Sequence, residues 1–296
     1  MKSCLIIINK SAGGSNRISF EKVESCLGEC YEYTHCTIPD CPDPDPAGYD
    51  AVAVCGGDGT LGSILGKVYD EPIDVWYFPV GTLNDKAKAE RYLHTKTTCP
   101  SCGGAPKGKQ VVLGKFTGGG ERIFAYVFAT GAFTPIGYTA KIEKKKRLGS
   151  LAYIGQVLKE YKIHRISASI ESSAGSYDGE FALIMFVKSP RCFGLNFNKA
   201  FDEESTSGHL LAIRSPKHGG LLGKIEMFFP FFRAFFIGLK KECDGKIIFK
   251  RVYSATVTHD GQAVYCRDGE KHTVERGEYK VKFIRSLCNF NVIEKF

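Results

Sequence analysis

The chain has 296 residues, 43% of them hydrophobic and 24% charged, with a net charge of +8. These are globular values, enough for a sizeable core, and the basic balance suits anionic partners such as nucleotides, nucleic acid or an acidic membrane surface. No run of about 20 uninterrupted apolar residues occurs, so no membrane-spanning helix is expected, and twelve cysteines without a signal sequence do not imply disulfides.

The first nine residues carry a short apolar run that ends at once in polar residues, so it reads as a buried strand over 5–8 and not as a signal peptide. A glycine- and serine-rich loop follows over 9–16, then a short helix over 20–27 and an alternating strand over 31–38. The proline-rich stretch 39–46 is a non-helical linker. The apolar run 51–55 predicts a buried strand. It meets Gly56-Gly57-Asp58-Gly59-Thr60, and a helix is expected from 61 to 68. A strand over 75–78 ends at Pro79-Val80-Gly81-Thr82-Leu83-Asn84-Asp85. Strands alternating with helices imply a parallel sheet whose ligands gather at the carboxyl ends of the strands. The loops after Ile8, Cys55 and Phe78 would share that edge.

The pentapeptide 56–60 carries the clearest chemistry. Glycines let backbone N–H groups approach an anion closely, and a helix N-terminus adds partial positive charge. A plain Gly-Asp-Gly turn is the competing reading, but a turn needs one or two glycines, not three around a carboxylate. Asp58 sits where a carboxylate could hold Mg²⁺ or accept a hydroxyl proton.

From about Gln110 the texture changes. Strand-like runs over 123–130, 165–171, 181–188, 209–213, 246–253, 255–259 and 279–284 are separated by Gly, Asn, Asp and Ser turns. One helix over 150–161 interrupts them. The pattern predicts a mostly antiparallel, β-sandwich-like second domain. The division expected is 1–110 for an α/β nucleotide-binding domain and 111–288 for a β-rich substrate domain, with the tail 289–296 returning to the first. Cys99 and Cys102 form a C-x-x-C pair, either half a zinc site completed by Cys36, Cys41 or His94, or reduced loop thiols. The basic run 144–147 reads as a solvated loop or a contact to anionic lipid or phosphate. Residues 221–241 hold six phenylalanines together with Lys224, Glu226 and Arg233, and Pro230 should interrupt any single helix there. The stretch is either a core-packing segment or an interfacial one whose Lys240 and Lys241 meet anionic headgroups. Aromatic interleaving of the kind used on single-stranded nucleic acid is missing, so no nucleic-acid partner is expected.

Four segments in order resemble the diacylglycerol kinase catalytic family, which includes sphingosine and ceramide kinases. They are Asn9-Lys10-Ser11-Ala12-Gly13-Gly14, the 56–60 loop, the 79–85 block, and Asp268-Gly269-Glu270 near the C-terminus. Residues 148–153 resemble the start of that family's central helix. The resemblance implies ATP- and Mg²⁺-dependent transfer of the γ-phosphoryl group to a lipid hydroxyl, diacylglycerol by default, in a cleft between the domains. It implies nucleotide contacts at Asn9, Gly13, Thr37 (Thr34 is the rival), Gly56, Gly57, Asp58, Gly59, Thr60 and Thr82. Mg²⁺ would be organised by Asp58, Asn84 and Asp85, and Glu270 would accept the hydroxyl proton, with Asp58 as the second catalytic carboxylate. It also implies a cytoplasmic protein acting peripherally on an anionic inner membrane face, and it is compatible with a homodimer. The chain departs from the pattern at Lys10 (a proline in the family), at Ala12 (a serine), at Gly62-Ser63 (Asn-Glu in many bacterial members), and at Thr206-Ser207-Gly208. At this last site many relatives carry Asp-Asp-Gly for a structural Mg²⁺, and Asp202, Glu203 and Glu204 are displaced from it. An NAD kinase, whose family shares the 56–60 loop, and a catalytically weak nucleotide or lipid sensor are the alternatives.

Overall fold

The computed structural model describes residues 1–90, 108–118, 120–132, 162–275, 277–293 and 296. Cys99, Cys102, His94, the basic run 144–147 and the expected helix 150–161 lie outside the described residues, as does the segment 148–153. The chain divides into two compact units, Met1–Val111 with Arg285–Phe296, and Val112–Ile284.

The first unit is built from β1 (Lys2–Asn9), α1 (Phe20–Leu27), β2 (Tyr31–Ile38), β3 (Ala51–Gly56), α2 (Asp58–Val68), β4 (Asp74–Pro79) and α3 (Asp85–Glu90). Its sheet runs β2–β1–β3–β4 with every pair parallel. The end of the chain's last strand adds to β4, also in parallel, from Asn289 opposite Asp74 to Val292 opposite Tyr77. β1 and β3 are buried on both faces, which is why they read as continuous apolar runs without alternation. β2 is the edge and carries exposed Glu32, Thr34 and His35. α1 starts where the Ser19 side chain accepts from the Lys22 N–H, and it stops at Gly28 with φ of 78°. Val23 and Leu27, four residues apart, bury its inner face.

The second unit contains β5 (Lys109–Thr117, entering from the first unit), β6 (Glu121–Phe124), β7 (Val127–Gly131), β8 (Ile166–Ser172), β9 (Gly175–Val187), β10 (Arg191–Cys192), β11 (Leu195–Asn196) and β12 (Gly208–Arg214). It continues with α4 (Gly220–Phe232), β13 (Ile247–Val252), β14 (Ser254–His259), β15 (Ala263–Arg267), β16 (Glu270–Val274) and β17 (Gly277–Val292). The order β16–β15–β7–β9–β8–β14–β17 is joined by antiparallel pairs. β9 pairs its first half with β8 and holds its second half between β7 and β12. An aromatic cluster fills the interior, with Phe128 stacked on Tyr265 at 4.4 Å and Phe116 at 4.7 Å from Phe128.

Four local expectations are corrected. The helix after the glycine loop begins at Asp58, not Leu61, so the glycine motif is itself the first turn. The run 123–130 is two strands, because the N–H groups of Ala125, Tyr126 and Val127 are taken by the Asp268 carboxylate and leave the ladder. Residues 263–274, which none of the expected strands covers, form a hairpin. Pro230 does not interrupt the helix around it. α4 runs through it to Phe232 and widens into a π turn over Arg233–Ile237 before Gly238 ends it at φ of 83°. Burial of Pro230 and Phe231 offsets the lost N–H.

Candidate functional site

Parallel pairing carries the ends of β1 to β4 to one edge. Asn9 lies opposite Ile38 and Gly56 opposite Pro79, so the four following loops start side by side. Three contacts then knit them. The Asn9 side-chain amide donates to Thr60 Oγ1 at 2.8 Å while its oxygen accepts from the Ser11 N–H at 2.9 Å. The Gly14 N–H donates to the Val80 carbonyl at 2.7 Å. The Gly56 carbonyl accepts from the N–H groups of Val80 and Gly81 at 3.0 and 3.1 Å.

Glycine is required at this junction for contact, not only for flexibility. A Cβ on Gly81 would stand 2.5 Å from the Gly57 Cα, and one on Gly13 would stand 2.8 Å from Thr82 Oγ1. The backbones of the two conspicuous loops therefore touch. Gly57 precedes α2 without a side-chain cap, so the N–H groups of its first turn point out of the helix end, where an anion is favoured. Thr37 stands at the same edge, opposite Ile8, and donates its hydroxyl to Asp40, which also receives the Lys10 ammonium at 2.9 Å. Thr34 lies opposite Leu5, mid-strand and away from the edge.

Asp58 and Asp85 meet. The Asp58 carboxylate accepts from the Asp85 N–H at 2.9 Å through Oδ2 and from the Lys86 N–H at 3.0 Å through Oδ1, so it caps α3. Both acids are buried, Asp85 completely. Asn84, in the left-handed region at φ of 51°, turns its amide onto the Pro79 and Gly81 carbonyls at 3.1 and 2.9 Å. Its oxygen and the Gly56 carbonyl lie at 3.4 and 3.3 Å from the Tyr77 hydroxyl. Burial, then the charges of Asp58 and Asp85, push the Tyr77 hydroxyl well above its usual range, so it stays a neutral donor. Tyr77 is a site-organising residue that sequence reading missed, because its apolar strand gives no hint of a polar neighbour.

The donor set fits magnesium. Asp58, Asn84 and Asp85 offer hard oxygens only, and this ion keeps several waters and takes one or two carboxylates beside phosphate oxygens. Among the described residues no group of three or more His, Cys, Asp or Glu forms an all-protein cage. The second candidate metal position does not fit. There the Lys188 ammonium donates to the backbone carbonyls of Asp202 at 2.8 Å and Ser205 at 2.5 Å, and lies 5.2 Å from the centre of the Phe201 ring. A fixed positive charge already ties the 202–207 loop, and a divalent cation would be repelled.

In the second unit, Asp268-Gly269 is the two-residue turn between β15 and β16, with both residues at positive φ (49° and 94°). The two carboxylates of this segment have different environments. Asp268 is buried and accepts three backbone N–H groups, and burial pushes its carboxyl up to about 6. Glu270 opens β16, exposes 49% of its side chain and pairs with Arg267 at 3.1 Å. Only Glu270 is accessible to a substrate.

The first unit thus defines a parallel α/β domain whose strand ends carry a glycine-built, acid-bearing edge. Residues 3–102, about a third of the chain, match the family model described as the diacylglycerol kinase catalytic domain. It is 24% identical over 199 residues to the "Putative lipid kinase" of Streptococcus pneumoniae serotype 4 (strain ATCC BAA-334 / TIGR4), covering 63% of this chain and 67% of the relative. Over 99% of its length it superposes on 97% of a Bacillus anthracis str. Sterne diacylglycerol kinase, with a TM-score of 0.62 at 14% identity. A second B. anthracis structure, a "putative diacylglycerol kinase", gives 0.67 at 15% with the same coverage. These similarities establish the fold across the chain.

Proposed function

We propose that the protein is an ATP- and Mg²⁺-dependent lipid kinase that transfers the γ-phosphoryl group to a lipid hydroxyl, with diacylglycerol as the default acceptor. The observation that carries the reading is the Asp58 clamp. One carboxylate joins the 56–60 loop to α3 within the segment that matches the family. Phosphoryl transfer needs positioning and charge neutralisation more than covalent chemistry. In this reading the first-turn N–H groups of α2 bind nucleotide phosphate. Asn9 and Thr60, bonded to each other, fix the loop after β1 against it, with Gly13, Thr37 and Thr82 around the nucleotide. Magnesium, held through Asp58, Asn84 and Asp85, would neutralise phosphate charge. Tyr77 holds the Asn84 oxygen and the Gly56 carbonyl in place from below. Glu270 accepts the hydroxyl proton, while Asp268 is committed to backbone N–H groups and shapes the turn that presents it. The substrate reading places the protein at the inner face of the membrane.

The test is transfer of label from γ-labelled ATP into an organic-extractable product. The wild-type protein should label diacylglycerol and Asp58→Ala should not. Equal labelling by both proteins would remove the clamp from the mechanism.

A further inference from the structure

α4 and the π turn after it have an unusual burial pattern. Gly223, Met227, Pro230, Phe231 and Ala234 form the stripe turned into the unit. The opposite stripe of such a helix is normally polar. Here it is Leu221, Ile225, Phe228, Phe229, Phe232 and Phe236, exposed by 42% to 74%. Of the eleven exposed large hydrophobic residues among those described, eight lie in this one stretch of the chain, so the exposure is a patch and not scatter. The patch is ordered: Phe228, Phe232 and Phe236 stack in a ladder at 5.5 and 5.4 Å.

Charge surrounds it asymmetrically. Exposed Lys217, Lys240 and Lys241 flank the stretch and Lys224 and Arg233 lie within it, while the neighbouring acid Glu242 faces Lys250 at 4.0 Å. Its one glutamate, Glu226, folds back to His218 at 2.8 Å and to the Lys217 N–H at 2.9 Å. Behind the helix lies an open groove of about 450 Å³, walled by Phe229, Pro230 and Ile247, with Arg233 and Lys246 on it. Of the two acids that line it, Glu226 is held by His218 and Asp244 pairs with Lys250 at 3.6 Å, whereas Arg233 and Lys246 have no ion-pair partner among the described residues. An apolar stripe edged by cations matches the acyl boundary and phosphate plane of an anionic bilayer. No helix among the described residues is long and apolar enough to cross a membrane, so the fit is to its surface.

We propose that Gly220–Ile237 is the membrane-docking element of this protein, inserting its phenylalanine ladder into an anionic bilayer while Arg233, Lys240, Lys241 and Lys246 meet lipid phosphates. The inference rests on the lipid-kinase reading only for why a bilayer is near, and it can be tested without turnover.

The full chain is mixed, without nucleotide, with vesicles of phosphatidylglycerol or phosphatidylcholine that contain no diacylglycerol, and floated on a density gradient. The wild-type protein should float with the anionic vesicles. The triple variant Phe228→Ser, Phe232→Ser, Phe236→Ser should lose at least tenfold in partitioning per phenylalanine. Lys240→Ala with Lys241→Ala should weaken binding about fivefold per charge on phosphatidylglycerol alone. The double variant keeps the apolar face, so it tests the idea even if the triple variant folds poorly. Wild-type flotation by the triple variant, or no flotation by the wild type, would overturn the proposal. So would a dimer that the triple variant splits without any flotation, since the face would then bind a second copy of this chain. Flotation by a wild-type protein that phosphorylates no lipid would uphold docking and sink the kinase reading alone.

Discussion

Asp58 uses both carboxylate oxygens on the start of α3, so an amide cannot replace it. Asp58→Asn keeps one acceptor and turns an NH₂ toward a backbone N–H. Turnover should fall by about 10²-fold or more, as expected for lost charge organisation at a phosphoryl site, and the cap loss should cost about 1 kcal/mol in thermal or denaturant unfolding. Glu270 is assigned a different role, and a different readout follows. Glu270→Gln should lower kcat by about 10² to 10⁴-fold, the usual range for a general base, with ATP affinity by calorimetry unchanged. A kcat at the wild-type level would take Glu270 out of the chemistry. Asp268 acts on stability. Its carboxyl is raised in the folded state to about 6 from an ordinary 3.8. The stabilisation it contributes is therefore fully present below about pH 3.8 and lost as pH rises through about 6, a change of about 3 kcal/mol. Asp268→Asn cannot titrate, so its deficit against the wild type in urea unfolding should be largest at about pH 3.8 and shrink steadily as pH rises to 7. A deficit independent of pH would contradict this.

At the scale of elements, the 202–207 loop is tied by Lys188 to two carbonyls. Lys188→Met strips two part-buried carbonyls of their charged donor, and should destabilise the protein by about 1 to 3 kcal/mol. A metal chelator should leave the unfolding midpoint of the nucleotide-free wild type unchanged, and a chelator-induced drop would restore a structural metal there. The elements differed in how legible they were. β1, α1, β2, β3 and β4 were readable because parallel strands buried on both faces leave unbroken apolar runs bounded by glycine or proline. The hairpin β15–β16 was not, because Asp268-Gly269 competes with Asp260-Gly261 as a turn signal, and composition does not say which turn closes a strand pair. The break between β6 and β7 depends on a carboxylate more than 140 positions away, which no local window contains. Pro230 misled for the opposite reason: a local rule was overridden by packing around α4.

At the scale of the whole molecule, the fold class followed from periodicity, and the family resemblance rested on four short motifs spread across both halves of the chain. The site was legible only in part. Asn9, Gly56, Gly57, Asp58, Asn84 and Asp85 declare themselves as a pattern, whereas Tyr77 is visible only once β4 is placed under the loops. The central proposal is phosphoryl transfer to a lipid alcohol, and it rests on the Asp58 clamp inside the segment that matches the family model. The most direct measurement is acceptor identity. Purified protein, ATP and Mg²⁺ are incubated in parallel with diacylglycerol in mixed micelles, with other lipid alcohols and with NAD, and the products are identified by mass spectrometry. The account predicts a phosphate monoester at the free hydroxyl of a lipid, with diacylglycerol the best acceptor and NAD unchanged. Phosphorylation of NAD alone, or ATP binding with no phosphorylated acceptor in any arm, would contradict it.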